Sequence, residues 1–571
     1  MANALKKYVN VRLITKNTNL EEQVLDNLQV PIGSQLKDFA PEPAKDQPVV
    51  VAAFVNNILK DLNYHIYCDS TIEWLDYTSD FGNRIYKSSL SFLLYVAAAE
   101  LYPNHKLKVL HSLRNGRYCE LRGETGLKAE DFAKIQNRME QMVAEDLTIQ
   151  KDYLNREDAI RYYRDIENHL VADNLSMQKV KSVPVHTLAG HIQYMISKMV
   201  PSTKYLANFQ IDPFDEGFII REPRSFNTAV CGEKEDCERF AFPKRLQASL
   251  KAYDEWGRIL GVENVADVNR MVDNDDFKNL IIMAETMQQR AMQKIADSIF
   301  KDFPKVKVVL IAGPSSSGKT SFCNRMAIEF RSLGLKPIVL SLDNYFVNRA
   351  DTPLGADGKP DFECLEAIDL PYFNKQLLQM INGEAVEMPI YDFHTGTRAE
   401  KTIPVQLTDK HILLMEGIHG INPKLTENIP DENKRKVYIS CLTQLNMDNL
   451  TPISSADNRE LRRMIRDVQF RNSPAEKTLF GWKKVRMGEE KNIFPFQESA
   501  DYYFNTSLIY EFNVLRPALE EHLSKVTSES PAYNEAMRLL RLIRQFKPVA
   551  PNLVPAYSLL QEFLGGSCFE L

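Results

Sequence analysis

No apolar run in the 571 residues is long enough to cross a bilayer, and the opening MANALKKYVN lacks the apolar stretch of a secretory leader. These absences lead to the expectation of a cytoplasmic protein without a membrane contact. An excess of positive charge is missing too: 70 Lys and Arg stand against 76 Asp and Glu, a formal net charge of −6. That balance argues against a general nucleic-acid coat, although it allows a local basic patch. The eight cysteines, at 68, 119, 231, 237, 323, 364, 441 and 568, contain no CxxC pair. Cys231 and Cys237 have neither a second pair nor a histidine at zinc-finger spacing, so reduced thiols are expected. Internal repeats and low-complexity tracts are lacking as well. What is present is the composition of a folded protein, 44% hydrophobic and 26% charged, in a chain too long for one core.

The front of the chain mixes short β-like runs (YVNVRLIT, PVVVAAFVNN, STIEWLDY) with turn residues, which predicts a small α+β module over 1–80. A helix follows in RIYKSSLSFLLYVAAAELYP, where Leu90, Leu93, Leu94 and Ala97 recur at helical spacing. KLKVLHSL and RYCELRG read as strands, and the charged segment 128–170 as helices, giving a second α+β unit over 81–225. The polar, breaker-rich stretch 226–243 marks a boundary. Two helices are expected to bridge 226–304, the second with Leu280, Ala284, Met287, Ala291, Ile295 and Ile299 on one stripe. From Val306 strands alternate with helices: VKVVLIAG, PIVLSLD, HILLMEG, KVYISCL and ADYYFNT predict a five-stranded parallel sheet in an α/β domain over 305–525. A helical tail, 526–571, completes the multidomain chain.

The strongest motif is IAGPSSSGKTSF. Gly313 through Thr320 satisfies GxxxxGK[ST], in which glycines allow a tight turn whose amides face phosphate oxygens. Gly313, Ser315, Ser316, Ser317, Gly318, Lys319, Thr320 and Ser321 are therefore candidate ATP-binding residues. Lys319 would reach the β- and γ-phosphates, Thr320 would ligate Mg²⁺, and the next helix would add its N-terminal dipole. The apolar strand before the loop and the helical stripe Phe322, Met326, Phe330, Leu333 after it supply the required context.

The chemistry is narrowed by what surrounds that loop. No guanine-reading NKxD occurs, and HILLMEGIHG ends in a single acid, Glu416, instead of the acidic pair of a motor ATPase. Glu416 is the second candidate for the metal site; a surface acid at a strand end is the plain alternative. Asp343, after the strand PIVLSLD, would reach the same sheet edge, where it could accept a hydroxyl proton or merely cap its loop. Arg459, Arg462, Arg463 and Arg466 share one helical face, with Arg471 beyond. Such a face needs anions, and either a phosphoryl-clamping lid or an RNA surface would provide them, as would its own acidic neighbours. PIYDFHTGTR offers Tyr391 and Phe393 for a flat ring and Arg398 or His394 for polar edges.

In order and spacing these motifs resemble the uridine kinase/phosphoribulokinase family of P-loop kinases. The resemblance implies that Asp343 is the general base on a nucleoside 5′-hydroxyl. It implies that Lys319, Arg462 and Arg466 act on the transferred phosphate, and that Arg463 and Arg471 hold ATP. Arg459, Arg398, Tyr391 and Phe393 would contact substrate, and the family's ribose-binding Asp would fall at Glu366. Where uridine kinases carry a pyrimidine-contacting His, this sequence has Gly396, with His394 two residues earlier. Residues 1–225 are similar to the N-terminal region of threonyl-tRNA synthetase, a TGS module (β-grasp) followed by an editing domain, through AELYPNHKLKV, HSLRNGRYCEL, RMEQMVAEDL and MVPSTKYL. The editing site's ligand and catalytic positions fall on Ser88, Phe92, Met195 and Met199, which suit neither a metal nor hydrolysis. The closing LLQEFLGGSCF resembles the C-terminus of bacterial nucleoside kinases that join these parts.

The expectation is thus an ATP- and Mg²⁺-dependent nucleoside kinase with an inactive synthetase-like front half. A kinase of the same fold acting on another small alcohol, or an RNA- or ribosome-associated nucleotide switch, stays open. So do an RNA or protein contact through the front half and an oligomeric state.

Overall fold

The computed structural model describes residues 7–16, 22–43, 47–113, 116–222, 244–355, 358, 360–392 and 395–569. Residues 226–243, with the expected boundary and Cys231 and Cys237, lie outside the described residues. The other cysteines are free thiols. Among the described residues, no helix is long and apolar enough to cross a membrane.

The front half holds three sheets. Strands β1 (Tyr8–Lys16), β2 (Glu22–Pro31), β3 (Val50–Val55), β4 (Ile58–Asp61) and β5 (Ser70–Asp76) form a mixed sheet in the order β2-β1-β5-β3-β4. Helix α1 (Asp80–Leu101) starts where the Ser79 hydroxyl accepts the Gly82 amide, an N-cap that relieves one orphan donor. Its anticipated stripe, Leu90, Leu93, Leu94 and Ala97, is wholly buried. Against α1 lie β6 (Lys106–Leu113), β7 (Gly116–Arg122) and, later in the chain, β11 (Gln210–Phe214) and β12 (Gly217–Arg221), ordered β11-β12-β7-β6. The segment expected to be purely helical contains α2 (Ala129–Ala144), α3 (Arg156–Asp165) and α4 (His169–Ser176), interrupted by β8 (Gln150–Asn155). Strand β8 is read as helix from sequence because it is polar; pairing with β9 (Ser182–Leu188), which in turn pairs with β10 (His191–Tyr194), overrides its propensity.

Among the described residues three helices, where two are expected, lead into the second half: α5 (Lys244–Leu260), α6 (Val265–Asp273) and α7 (Phe277–Lys301). Gly261, at φ +65°, ends α5, and Asn264 with Asp267 forms a capping box that opens α6. In α7, Leu280, Ala284, Ile295 and Ile299 are buried, as their spacing predicts.

All five expected strands of the second half occur, as β13 (Val308–Ala312), β14 (Lys336–Ser341), β19 (His411–Glu416), β20 (Lys434–Ser440) and β21 (Tyr502–Asn505). They form a parallel sheet ordered β14-β19-β13-β20-β21. Central β13 is buried throughout: Val309 and Ile311 face a core shared with α7 and α8 (Lys319–Ser332), while Val308 and Leu310 face α9 (Leu370–Ile381). Two short ladders, β15 (Val386–Met388) with β18 (Ile403–Val405) and β16 (Tyr391–Asp392) with β17 (Thr397–Arg398), stand beside it. Helices α10 (Ser455–Phe470), α11 (Ala475–Asn492), α12 (Glu511–Leu523), α13 (Tyr533–Ile543) and α14 (Gln561–Leu564) follow. The expected tail is no appendage, since Leu539, Ile543 and Phe563 enter the same core as Leu461, Met464 and Leu515.

Candidate functional site

The chain leaves β13 at the centre of the sheet, runs outward to β14, and returns through β19 between them. In this register Glu416 sits opposite both Ile311 and Ser341. The loop after β13, the turn after β14 and the end of β19 therefore meet at one carboxyl edge, where open α/β sheets take ligands.

The loop is built as the motif requires. A Cβ on Gly313 would lie 2.1 Å from the Ile439 carbonyl oxygen, so only glycine fits. Gly318 adopts φ +83° and passes directly into α8 at Lys319. Lys319 Nζ donates to the carbonyls of Gly313 (3.0 Å) and Pro314 (3.2 Å). Burial lowers its pKa, opposed by Glu416, Asp343 and Glu562. The buried hydroxyls of Ser316 and Ser317 have no hydrogen-bond partner among the described residues, as a cradle for an oxygen-rich anion would leave them.

Two carboxylates face the loop. Thr320 Oγ1 donates to Glu416 Oε1 at 3.5 Å. Burial, with Asp343 and Glu562 adding to it and Lys319 opposing, lifts the Glu416 carboxyl to about 7. Asp343 lies in the 3₁₀ turn Leu342–Tyr345, where its amide donates to the Ser341 hydroxyl (3.3 Å). Burial raises its pKa, against the charges of Lys319 and Arg471. Hard oxygens of this kind, in a half-buried carboxylate beside a hydroxyl, suit Mg²⁺.

The arginine helix divides its labour differently from the expected single face. Arg462 has no exposed surface: it pairs with Glu511 (2.6 Å) and donates to the Thr506 carbonyl (2.9 Å). Thr506 in turn donates to the Ser317 carbonyl, so Arg462, which the resemblance implies for the transferred phosphate, reaches the loop through Thr506 from the interior of the fold. Arg459, which the resemblance implies for substrate, is likewise buried, forked onto Glu489 of α11 and bonded to the Ser315 carbonyl (3.1 Å). Arg463 donates to the Ser315 hydroxyl (2.7 Å). Arg466 lies 3.5 Å from Glu562 with its buried Nε unmatched among the described residues. Arg471 is exposed, 3.4 Å from Asp467.

On the acceptor side, Tyr391 is buried with its ring edge-on to Phe346 at 5.6 Å, and its amide bonds to Asn344, next to Asp343. Arg398 is occupied by Asp369 (3.1 Å) and the Tyr345 carbonyl. Phe393 and His394 lie outside the described residues. Gly396 adopts φ +73°, and a Cβ there would meet the Arg349 guanidinium at 2.7 Å. Glu366 is exposed; the acid of its loop that senses the site is Glu363, raised to about 7 by burial and Glu489, and lowered by Arg463 and Lys319. Position in the motif alone does not separate two acids three residues apart in one loop. Glu363, Glu489, Thr506, Glu511 and Glu562 all escape sequence reading as site residues, although Thr506 ends the predicted strand ADYYFNT and Glu562 lies in the recognisable LLQEFLGGSCF.

In the front half, Phe92, Met195 and Met199 belong to one buried apolar core, and the Ser89 hydroxyl contacts the Met199 sulfur.

Residues 308–507 match the Phosphoribulokinase / Uridine kinase family. A uridine kinase of Lactobacillus johnsonii is 30% identical over 172 residues, 30% of this chain and 72% of that enzyme. One from Bacillus mycoides is 31% identical over 199 residues, 34% of this chain and 84% of that enzyme. A threonine–tRNA ligase of Pelodictyon phaeoclathratiforme is 28% identical over 158 residues, 27% of this chain and 24% of that ligase. With a phosphate loop, two facing carboxylates and these relatives in the same stretch, the chain belongs to the Phosphoribulokinase / Uridine kinase family and is a P-loop kinase by descent.

Proposed function

We propose that this protein transfers the γ-phosphate of ATP to the 5′-hydroxyl of a nucleoside. The observation that carries the reading is Asp343: a half-buried carboxylate with a raised pKa, at the sheet edge that holds Lys319 and within its field. A base of raised pKa takes a proton more readily than an ordinary aspartate, as alcohol activation requires. In the transfer the nucleoside oxygen bonds to the γ-phosphorus, the bond to the bridging β–γ oxygen breaks, and the hydroxyl proton passes to Asp343. ADP departs with the bridging oxygen. Lys319, the amides of 315–321 and the flanking Arg463, Arg466 and Arg471 hold the anionic phosphates. Thr320 and Glu416 would hold Mg²⁺, which supplies charge neutralisation at the β- and γ-phosphates. The uridine kinases among the relatives support a nucleoside as acceptor, with Tyr391 and Glu363 on its side of the pocket.

For the front half the reading is a binding or assembly module, supported by the likeness to a threonine–tRNA ligase and by the apolar filling at Phe92, Met195 and Met199. A cytoplasmic setting suits a kinase that draws on ATP and nucleosides.

The test is a panel of ribo- and deoxyribonucleosides with labelled ATP, run on the wild type and on Asp343→Ala. Transfer to at least one nucleoside, lost in the variant while ATP still binds, is expected. Full turnover in Asp343→Ala would sink the assignment of the base, and phosphorylation of other alcohols alone would sink the nucleoside.

A further inference from the structure

Residues 554–568 lie beyond the family match yet end at the phosphate loop. Their path is fixed by their own bonds: Gln561 Nε2 donates to the Val554 carbonyl (2.9 Å), and the Cys568 amide to the Ala556 carbonyl (3.0 Å). Leu559, Leu560 and Phe563 are buried, and Phe563 lies beneath the Arg462 guanidinium at 5.1 Å. Gly565, at φ +87°, ends the single turn. Anchored this way, Glu562 projects one oxygen to each of two elements of the site. Its Oε2 accepts from the Ser321 hydroxyl (2.9 Å) in the first turn of α8, and its Oε1 lies 3.5 Å from Arg466.

We infer that Glu562 is a positioning residue for ATP, holding the Arg466 guanidinium toward the phosphate loop and steadying the first turn of α8 through Ser321. Two observations separate this from plain packing. Arg466 is mostly buried and matched on one side only, its Nε left without a partner among the described residues, as befits a group that completes its bonds on an anion. Glu562 is also a third carboxylate beside Glu416 and Asp343, and the mutual repulsion burdens the fold unless the guanidinium it aims is needed there. The inference rests on reading this site as the ATP site, not on the identity of the acceptor.

The test is a double-mutant cycle on the full chain, with Mg·ATP affinity measured by titration calorimetry. Glu562→Gln keeps an acceptor for Ser321 and removes the charge that aims Arg466. It is expected to weaken ATP binding about tenfold, and less than twofold in an Arg466→Ala background, because the aimed group is already gone. Glu562→Asp, which keeps the charge, is expected to recover part of the loss. Wild-type affinity in Glu562→Gln, or equal losses in both backgrounds, overturns the inference. Should Glu562→Gln not fold, Glu562→Ala, which also removes the charge, is carried through the same cycle with the same two readings. Because the readout is ATP binding, a chain that binds ATP but phosphorylates no nucleoside refutes the proposed acceptor and leaves the positioning role of Glu562 standing.

Discussion

The core beside α1 and the loop after β13 treat buried chemistry in opposite ways. At the front, the core beside α1 is filled by Phe92, Met195 and Met199, and a buried charge such as Arg117 finds a full partner in Glu222 at 2.8 Å. At the back, Lys319 donates to backbone carbonyls, Ser316 and Ser317 keep hydroxyls unmatched among the described residues, and Asp343, Glu416 and Glu562 crowd one another. Polar groups buried without complete partners cost free energy. A fold tolerates them where a ligand completes them, which is what the proposed phosphate site would do for the Ser316 and Ser317 hydroxyls.

That contrast can be broken experimentally. The largest effect is expected from Lys319→Ala, which should lower kcat/KM for ATP by about 10³-fold with little change in thermal stability, since it removes a group aimed at transferring charge. A stability loss without loss of turnover would place Lys319 with the structural charges. Arg462→Met should do the reverse of Arg466→Met. It strands buried Glu511 and should cost about 3–5 kcal/mol in denaturant unfolding, while Arg466→Met weakens ATP binding and leaves stability nearly unchanged.

Phe92→Ala should destabilise by about 3 kcal/mol through the cavity it opens, with turnover per folded molecule unchanged. If turnover falls while stability holds, the front half is more than a packed module. The smallest effect concerns pH. Because the Glu416 carboxyl stands at about 7, it holds a proton below that pH and must lose it to bind a cation. Apparent Mg²⁺ affinity should therefore drop about tenfold per unit as pH falls below about 7, and level off above it. In the metal-free protein the sign follows from the same value. The unfolded carboxyl, at its ordinary 4.5, has already lost the proton that the folded one keeps, so this group's share of stability declines as pH rises from about 4.5 to about 7. A flat Mg²⁺ profile across that window would remove Glu416 from the metal site.

Much of the kinase half could be read from residues alone, for identifiable reasons. Parallel strands buried on both faces are continuous apolar runs, so VVLIA and HILLME announce themselves, and the phosphate loop is contiguous in sequence. The arginines show the limit of such reading. Spacing places Arg459, Arg462, Arg463 and Arg466 on one helix, but not which of them meet acids from other elements. Glu489 and Glu511, both later in the chain, decide that Arg459 and Arg462 are struts. The same holds for the front sheets: β8 (QKDYLN) is mostly polar and is held as a strand by its pairing with β9.

The bond from Ser321 to Glu562 spans 241 residues of chain. At the usual pace of synthesis, about 5–20 residues per second, the loop and its helix wait roughly 10–50 s for that carboxylate to be made. During this interval the emerging kinase half carries its phosphate lysine without its last brace. On the role inferred for Glu562, the first turn of α8 gains its full set of partners only after residue 562 has been made.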